Sequence, residues 1–200
     1  LSEETLPCPI SDSTTLVYLH VCVERIHPGF RFPIQLTTLQ LQVKDGSVDV
    51  ALLTPLTRLQ ELKIDIGEDE DPLDLSGLTA LEYLDASESP ISRLPASIFQ
   101  CNVSLRSDTD YSPLTNLRSL TVSLETGTKV TFPTGLQTLE LKRGHLANTN
   151  ISDIALKWFE SASTRPITRD DLERLPKTLK KIYGRFEPVS LKEHLTEMFP

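Results

Sequence analysis

The run SPLTNLRSLTVSL, from Ser112 to Leu124, holds the pattern that decides the fold of this chain. Within it, Leu117, Leu120 and Val122 follow the spacing L-x-x-L-x-L/V. Alternate side chains of an extended strand point to opposite faces, so Leu120 and Val122 share one face. A single strand cannot bury that face by itself. A stack of similar strands can build one continuous core, which is what a repeated pattern of this kind predicts.

The pattern recurs in nine frames, and successive frames start 17 to 23 residues apart. Their first residues are Leu16, Leu36, Leu59, Leu81, Ile98, Leu117, Leu136, Leu156 and Leu179. The last two frames are the weakest, because Ser161 and Gly184 stand where the third apolar residue belongs. The side chains between the apolar positions are mostly polar, which predicts one buried and one exposed face for each strand.

Residues 142–178 allow two frames. One frame starts at Ile151 and is out of phase with the other, which starts at Leu156. We favour the second frame because it divides the surrounding gap into nearly equal steps. A longer loop or a short helix is expected over residues 164–175.

Prolines mark the approach to many frames. Pro33, Pro95, Pro133 and Pro176 each stand three residues before the first apolar residue of a frame. Proline cannot donate a ladder hydrogen bond, so it suits a corner better than the centre of a strand. Regularly spaced corners indicate a coil.

The segments between frames predict further extended structure. Residues 48–50, 73–75 and 130–132 alternate apolar and polar side chains, which is strand period. Ile91 and Leu94 are instead spaced for one helical or 3₁₀ turn. We therefore predict an α/β solenoid that is dominated by β-structure and contains few helices.

The ends of a coil need closing, because terminal repeats expose their core faces. We expect an irregular N-terminal cap at residues 1–14 and about nine repeats over residues 15–187. Ser190 and Glu193 fit the S-x-x-E capping box, which predicts a C-terminal capping helix over residues 188–200.

The repeats resemble those of the leucine-rich-repeat superfamily over residues 15–186. The run FPTGLQTLEL (132–141) is similar to the short proline-containing repeats of bacterial effectors. The runs SPLTNLRSLTV (112–122) and SGLTALEYLDA (76–86) are closer to the repeats of internalins and of the phosphatase-regulator class. This resemblance implies a right-handed coil with a curved parallel sheet on its concave face.

One departure from that family concerns the turn after each strand. Family members usually carry Asn or Cys three residues after the third leucine, where the side chains form a ladder. The corresponding residues here are Glu24, Lys44, Gly67, Ser89, Arg106, Glu125, Gly144, Thr164 and Glu187. We therefore expect no ladder, irregular turns and a less regular curvature.

Charge and hydropathy narrow the classes of function. The formal net charge of −8 disfavours a nucleic-acid partner, because such proteins usually carry a basic patch or stripe. No apolar run has the roughly 18–20 residues of a membrane-spanning helix. The first residues lack the basic start and apolar centre of a signal peptide, so we favour the cytoplasm, or delivery into a host cytoplasm, over secretion by that route. A monomer is the default.

The sequence carries no enzyme or cofactor signature. None of the four histidines stands in H-E-x-x-H, and the phosphate-binding and nucleophile-elbow motifs are missing. Three cysteines without C-x-x-C spacing disfavour a zinc site, and we expect buried reduced thiols, with a Cys8–Cys22 bridge as the alternative. The acidic run at residues 67–74 lacks the glycine and final glutamate of a calcium loop, so we interpret it as a solvated loop, with weak calcium binding or a contact for a basic partner as the alternatives.

Two short motifs have competing interpretations. Residues 129–132 match the docking motif by which many proteins bind the type-1 phosphatase, but the alternation places Val130 and Phe132 in the predicted core. Asn102 and Asn150 stand in glycosylation sequons, which matter only on a eukaryotic secretory route.

The candidate binding surface consists of the polar positions of the predicted sheet. Strands about 4.8 Å apart make nine of them span roughly 40 Å, which suits a protein partner. Aromatic and Arg side chains dominate interface energetics, so Trp158, Tyr183, Tyr83 and Arg185 are the anchor candidates, although Trp158 could instead fill the space beside Ser161 and Gly184. The full set is Tyr18, His20, Gln40, Glu61, Lys63, Tyr83, Asp85, Thr121, Glu140, Lys142, Trp158, Lys181, Tyr183 and Arg185.

We therefore expect a non-enzymatic module that binds a protein partner through this face. Charge is uneven, with a balance of −6 over residues 61–74 and +4 over residues 165–185, which would orient a partner. Two alternatives remain open. The chain could be the partner-recognition domain of a larger effector or enzyme of the ubiquitin-ligase type, or a regulator of protein phosphatase 1.

Overall fold

The computed structural model describes residues 13–27, 29–44, 48–67, 71–163 and 166–185. The chain divides into two compact units, Leu1–Ser104 (unit 1) and Leu105–Pro200 (unit 2). The predicted C-terminal helix, Cys8 and nearly all of the predicted N-terminal cap lie outside the described residues.

Unit 1 is a parallel coil with a strand in each turn. Its strands are β1 (Tyr18–Val23), β2 (Thr38–Val43), β3 (Glu61–Asp65), β4 (Leu73–Asp74), β5 (Tyr83–Ala86), β6 (Ile91–Arg93) and β7 (Gln100–Leu105). Strands β1, β2, β3, β5 and β7 form a parallel sheet in that order. The short strands β4 and β6 pair with each other in a second parallel sheet.

Unit 2 repeats this plan and adds the only α-helix among the described residues. Its elements are β8 (Thr109–Asp110), β9 (Ser119–Leu124), β10 (Val130–Thr131), β11 (Thr138–Arg143), β12 (Trp158–Ser161), α1 (Arg169–Arg174) and β13 (Lys181–Tyr183). Strands β9, β11, β12 and β13 form the main parallel sheet, and β8 pairs with β10. Short 3₁₀ helices occupy Val50–Leu52 in unit 1 and Leu146–Asn148 and Ile151–Asp153 in unit 2.

The repeated leucines form the core of both units. Leu39, Leu62, Leu120 and Leu139 are all 0% exposed. The register aligns Leu39 with Leu62 in unit 1, and Leu120 with Leu139 in unit 2. Each main-sheet strand begins two residues after the first apolar residue of its frame, so the predicted β-dominated solenoid is confirmed.

The corners before these strands share one backbone hydrogen bond. In four turns the amide of the first core residue donates to the carbonyl of the proline three residues earlier, at 3.1 to 3.2 Å. The pairs are Leu36 with Pro33, Ile98 with Pro95, Leu136 with Pro133, and Leu179 with Pro176. Proline lacks the N–H but keeps its carbonyl, and its restricted φ suits the start of a turn, so the predicted corners are confirmed.

The segments outside the main sheets correct two predictions. Residues 73–75 and 130–132 contain strands as predicted, but Val50–Leu52 is a 3₁₀ helix. The carboxylate of Asp49 accepts from the amide of Ala51 at 2.8 Å, which favours this turn over a strand. The helical turn predicted from Ile91 is also wrong, because Ile91 pairs with Leu73 in a parallel ladder.

One residue at the nine ladder positions is buried and bonded to the backbone. Ser89 is buried at 2% exposure, and its hydroxyl accepts from the amide of Ile66 at 3.0 Å and donates to the carbonyl of Ile64 at 3.1 Å. Serine therefore does for one turn what the family's Asn or Cys does, since buried backbone groups need partners.

Unit 2 uses a different residue for the same task. The side-chain oxygen of Asn150 accepts from the amide of Phe132 at 2.6 Å, and its nitrogen donates to the carbonyl of Phe132 at 3.0 Å. The amide group thus takes the place of a strand beside β10, where Val130 also bridges to Thr149.

The ambiguous stretch is resolved in favour of the second frame. Phe159 is buried on β12 and aligned with Leu139, whereas Ile151 opens a 3₁₀ helix. The short helix expected within residues 164–175 is α1. Thr168 caps it by accepting from the amide of Asp171, whose carboxylate accepts from the amide of Thr168 in return.

Candidate functional site

The candidate site is the open face, defined as the main-sheet face opposite the buried leucines. Strand alternation places the predicted polar residues on this face, and parallel pairing brings equivalent positions into rows across the strands. One row of unit 1 contains His20, Gln40, Lys63, Asp85 and Asn102. The rows of unit 2 are Ser119, Thr138, Trp158 and Lys181, and then Thr121, Glu140, Glu160 and Tyr183.

The open face of unit 1 is held by hydrogen bonds between its own side chains. Lys63 lies 3.5 Å from the carboxylate of Asp85, which also accepts from the amide nitrogen of Asn102 at 2.9 Å. In the next row, Gln42 accepts from the thiol of Cys22 and donates to the carboxylate of Asp65 at 2.9 Å. These polar groups are largely satisfied within the sheet, which lowers what each can gain from a partner.

Two predicted aromatic residues of unit 1 differ in exposure. Tyr18 is 50% exposed, whereas Tyr83 is half-buried between Glu61 and Gln100. Burial raises the pKa of Tyr83, and the carboxylates of Asp85 and Glu61 raise it further. Tyr83 therefore keeps its hydroxyl proton throughout the physiological range.

The open face of unit 2 carries an aromatic pair. The rings of Trp158 and Tyr183 meet edge to face, with centroids 5.9 Å apart and planes inclined by 69°. Trp158 is 40% exposed and Tyr183 is 50% exposed. Each ring therefore presents apolar area to solvent while its neighbour restricts its movement.

Trp158 does not fill the space beside Ser161 and Gly184. That space is occupied by Ile167, whose side-chain methyl would lie 2.6 Å from a Cβ at position 184. Gly184 has a φ of +153°, a conformation that glycine adopts readily. Ile167 therefore fills the core beside Gly184, and the indole of Trp158 remains on the open face.

Charged residues surround the aromatic pair in two rows. Glu140 and Glu160 are register partners on β11 and β12, and Thr121 donates to the carboxylate of Glu140 at 3.1 Å. Lys157 and Lys180 lie in adjacent turns at the amino ends of β12 and β13, where the amide of Lys180 donates to the carbonyl of Lys157 at 2.8 Å. Our sequence analysis missed these two lysines because it considered only strand positions.

Two predicted site residues lie outside the regular rows. The register shifts between Leu141 and Arg143, so Lys142 lies at a bulge and Arg143 pairs with Ser123. Arg185 is exposed, but it follows the end of β13 and the bend at Gly184. A pattern of alternating residues does not show where a ladder is interrupted.

The two described cysteines differ in burial. Burial raises the pKa of Cys101 to about 12, so its thiol stays protonated. Cys22 is exposed on the open face, which corrects the expectation that it is buried, and His20 is exposed as predicted. No group of three or more metal-binding side chains occurs among the described residues.

The two short motifs are used structurally. Val130 and Phe132 are each 1% exposed, so the two apolar residues of the phosphatase-docking motif are buried as predicted. Asn102 and Asn150 both use their side-chain nitrogens in hydrogen bonds within their own units. In the part of the chain that is described, no helix is long and apolar enough to cross a bilayer.

Comparisons with known proteins support the architecture. No protein-family model and no curated protein sequence matches the chain. Its structure is similar to that of CroV588, a novel circular leucine-rich-repeat protein, with a TM-score of 0.51 and 17% identity. That match covers 90% of this chain, which spans 28% of CroV588.

The chain has the leucine-rich-repeat fold. An internalin from Listeria monocytogenes is also similar, at 15% identity over 88% of this chain and 79% of the internalin, but with a TM-score of only 0.36. Leucine-rich-repeat coils commonly offer extended binding surfaces to other proteins and are typically not enzymes.

Proposed function

We propose that this leucine-rich-repeat chain is a non-enzymatic interaction module that binds a protein partner through the open face of unit 2. The observation that carries the proposal is the exposed Trp158–Tyr183 pair. Trp and Tyr are enriched among the residues that contribute most to protein interfaces.

The rigidity of this site supports the proposal. Trp158 and Tyr183 stand on β12 and β13, which pair in register from Trp158–Lys181 to Glu160–Tyr183. Aromatic side chains have few rotatable bonds, and an edge-to-face contact restricts them further. A partner that covers the pair therefore loses little conformational entropy on this side of the interface.

The size of the surface favours a macromolecular partner. The four strands of the unit 2 sheet, about 4.8 Å apart, present a face roughly 15 Å wide rather than an enclosed cavity. Small molecules are usually bound in concave pockets that bury most of their surface.

The test compares capture by variant chains. The purified chain is immobilised and exposed to a proteome extract, and captured proteins are quantified by mass spectrometry. Trp158→Ala and Tyr183→Ala should each lose the partners that the wild-type chain retains. Phe99→Ala is the matched control, because Phe99 is an aromatic residue of unit 1 that is 53% exposed.

The outcome that contradicts the proposal is specific. Partners retained in full by both Trp158→Ala and Tyr183→Ala would show that this face does not bind them. Circular dichroism and the melting temperature of each variant must match those of the wild-type chain, so that lost capture is not lost folding.

A further inference from the structure

Two carboxylates lie side by side on the open face of unit 2. Glu140 and Glu160 are direct register partners, and both are half-buried. Like charges directly opposite each other on neighbouring strands are destabilising. A cation placed over the two carboxylates would relieve this repulsion, so the row favours a basic group from a partner.

A basic group of three lysines lies at the amino ends of the same strands. Lys157, Lys180 and Lys181 are all exposed, and Lys181 is the register partner of Trp158. Lys181 and the acidic row are two residues apart along the strand direction, which corresponds to about 6.6 Å. The face therefore changes sign over a distance that one short peptide segment spans.

The aromatic pair links the two charged rows. Trp158 belongs to the row of Lys181, and Tyr183 belongs to the row of Glu160. An apolar side chain that contacts both rings is thus placed between a basic and an acidic region. Along the strand direction, the face therefore presents a basic region, the aromatic pair and an acidic region.

We infer that this face takes a protein segment with an acidic residue over the lysines, an apolar residue on the aromatic pair and a basic residue over Glu140 and Glu160. The inference rests on the proposed function and specifies the chemistry of its partner. In a helical segment the acidic and basic residues would be separated by three positions, which places them about 6 Å apart along the axis and on the same side of the helix.

A single-stranded nucleic acid is the other ligand that combines anionic groups with stacking on aromatic rings. Its backbone is uniformly negative, and the row of Glu140 and Glu160 would repel it because that row is also negative. Charge complementarity therefore favours a segment that carries both signs.

The experiment is a selection of random peptides displayed on phage against the full chain. Peptides enriched by the wild-type chain should share an acidic, an apolar and a basic residue in the stated spacing. With Glu160→Lys, the enriched peptides should lose the basic residue, because the row with Glu140 becomes neutral, and the original peptides should bind at least tenfold more weakly. With Lys181→Glu, the preference for the acidic residue should weaken, because the charge of the lysine group falls from +3 to +1.

A matched control tests whether the change in selected peptides depends on the position of the new charge or only on the net charge of the chain. Glu88→Lys makes the same charge change at an exposed residue of the turn after β5, outside unit 2. It should leave the selected pattern unchanged. If Glu160→Lys does not fold, Glu160→Gln replaces it, with an expected loss of several-fold in affinity for the basic peptides only.

Four results would overturn the inference. Charge reversals that leave the pattern unchanged, or peptides that need Trp158 but carry no charge order, would contradict it and leave the proposed function standing. Peptides that bind Trp158→Ala and Tyr183→Ala as well as the wild-type chain would contradict both. Displacement of the peptides by a 12-nucleotide oligothymidylate, measured by fluorescence polarisation, would favour nucleic acid instead.

Discussion

The open faces of unit 1 and unit 2 carry different chemistry on the same backbone repeat. In unit 1, Lys63, Asp85 and Asn102 bond to one another along a row. In unit 2, Trp158 and Tyr183 expose aromatic area beside Glu140 and Glu160, which are register partners on neighbouring strands. The difference shows that the leucines set the coil, while the residues between them set how much free energy a face can offer to a partner.

The largest expected effect is a loss of stability, and it tests whether buried leucines contribute equally to the cores of the two units. Leu62→Ala in unit 1 and Leu139→Ala in unit 2 each remove a side chain that is 0% exposed. Each should lower the free energy of unfolding by about 2–5 kcal/mol, because a cavity remains where the leucine was. Urea denaturation measures the loss.

Thr138→Ala is the control for this pair, because Thr138 precedes Leu139 on the same strand and faces the other way. It should change the free energy of unfolding by no more than about 0.5 kcal/mol. If one leucine variant behaved like this control, the cores of the two units would not be equivalent.

The next effect concerns binding and separates the two faces. Trp158→Ala should weaken the binding of a peptide selected on the wild-type chain by about 2 kcal/mol, or roughly thirty-fold in Kd. Tyr83→Ala should have a much smaller effect, because that ring is half-buried within unit 1. Isothermal titration calorimetry gives both constants, and a larger loss from Tyr83→Ala would move the binding site to unit 1.

A third prediction compares the polar side chains that hold neighbouring turns together. Ser89→Ala should lower the free energy of unfolding by about 1–3 kcal/mol, because the amide of Ile66 and the carbonyl of Ile64 lose their buried partner. Asn150→Ala should cost less, since Asn150 is half-buried and water can replace it.

Chemical denaturation of both variants tests this order. The control is Ser92→Ala, because Ser92 is an exposed residue of β6. Equal stability of Ser89→Ala and Ser92→Ala would show that the buried serine does not support the turn.

The smallest expected effect is a dependence of stability on pH at two equivalent corners. Hydrogen bonds from the Ser76 hydroxyl and amide hold the pKa of Asp74 below its usual value, and Arg93 adds to this. In unit 2, the amide and then the hydroxyl of Ser112 lower the pKa of Asp110. Since both folded-state pKa values are depressed, the stabilisation is complete above the unfolded pKa of about 3.9 and is lost as pH falls through the folded pKa.

Asn substitutions at these corners keep the accepting oxygen and remove the charge. Melting temperatures of the wild-type chain, Asp74→Asn and Asp110→Asn at about pH 6 and about pH 3 make the comparison. The wild-type chain should lose more stability on acidification than either variant, with the larger difference at Asp74. Identical losses in all three proteins would contradict the assignment.

Much of the coil was predictable because its signals are local. Strand alternation and the need to bury leucine place each main-sheet strand from its own few residues, and proline three residues earlier places four of the corners. The failures were local too: the 3₁₀ helix at Val50–Leu52 is capped by a hydrogen bond from the amide of Ala51 to the carboxylate of Asp49, which the spacing of apolar residues does not predict.

The sequence by itself determined which leucines turn inward, because a leucine at the same position of every turn can be buried only against its equivalents in neighbouring turns. The tertiary structure decided which outward residues meet. Trp158 and Tyr183 are 25 positions apart, as are Ser89 and Ile64, and only parallel pairing brings them together. The candidate site consists of contacts between residues of different turns, and the sequence of a single turn is not enough to predict them.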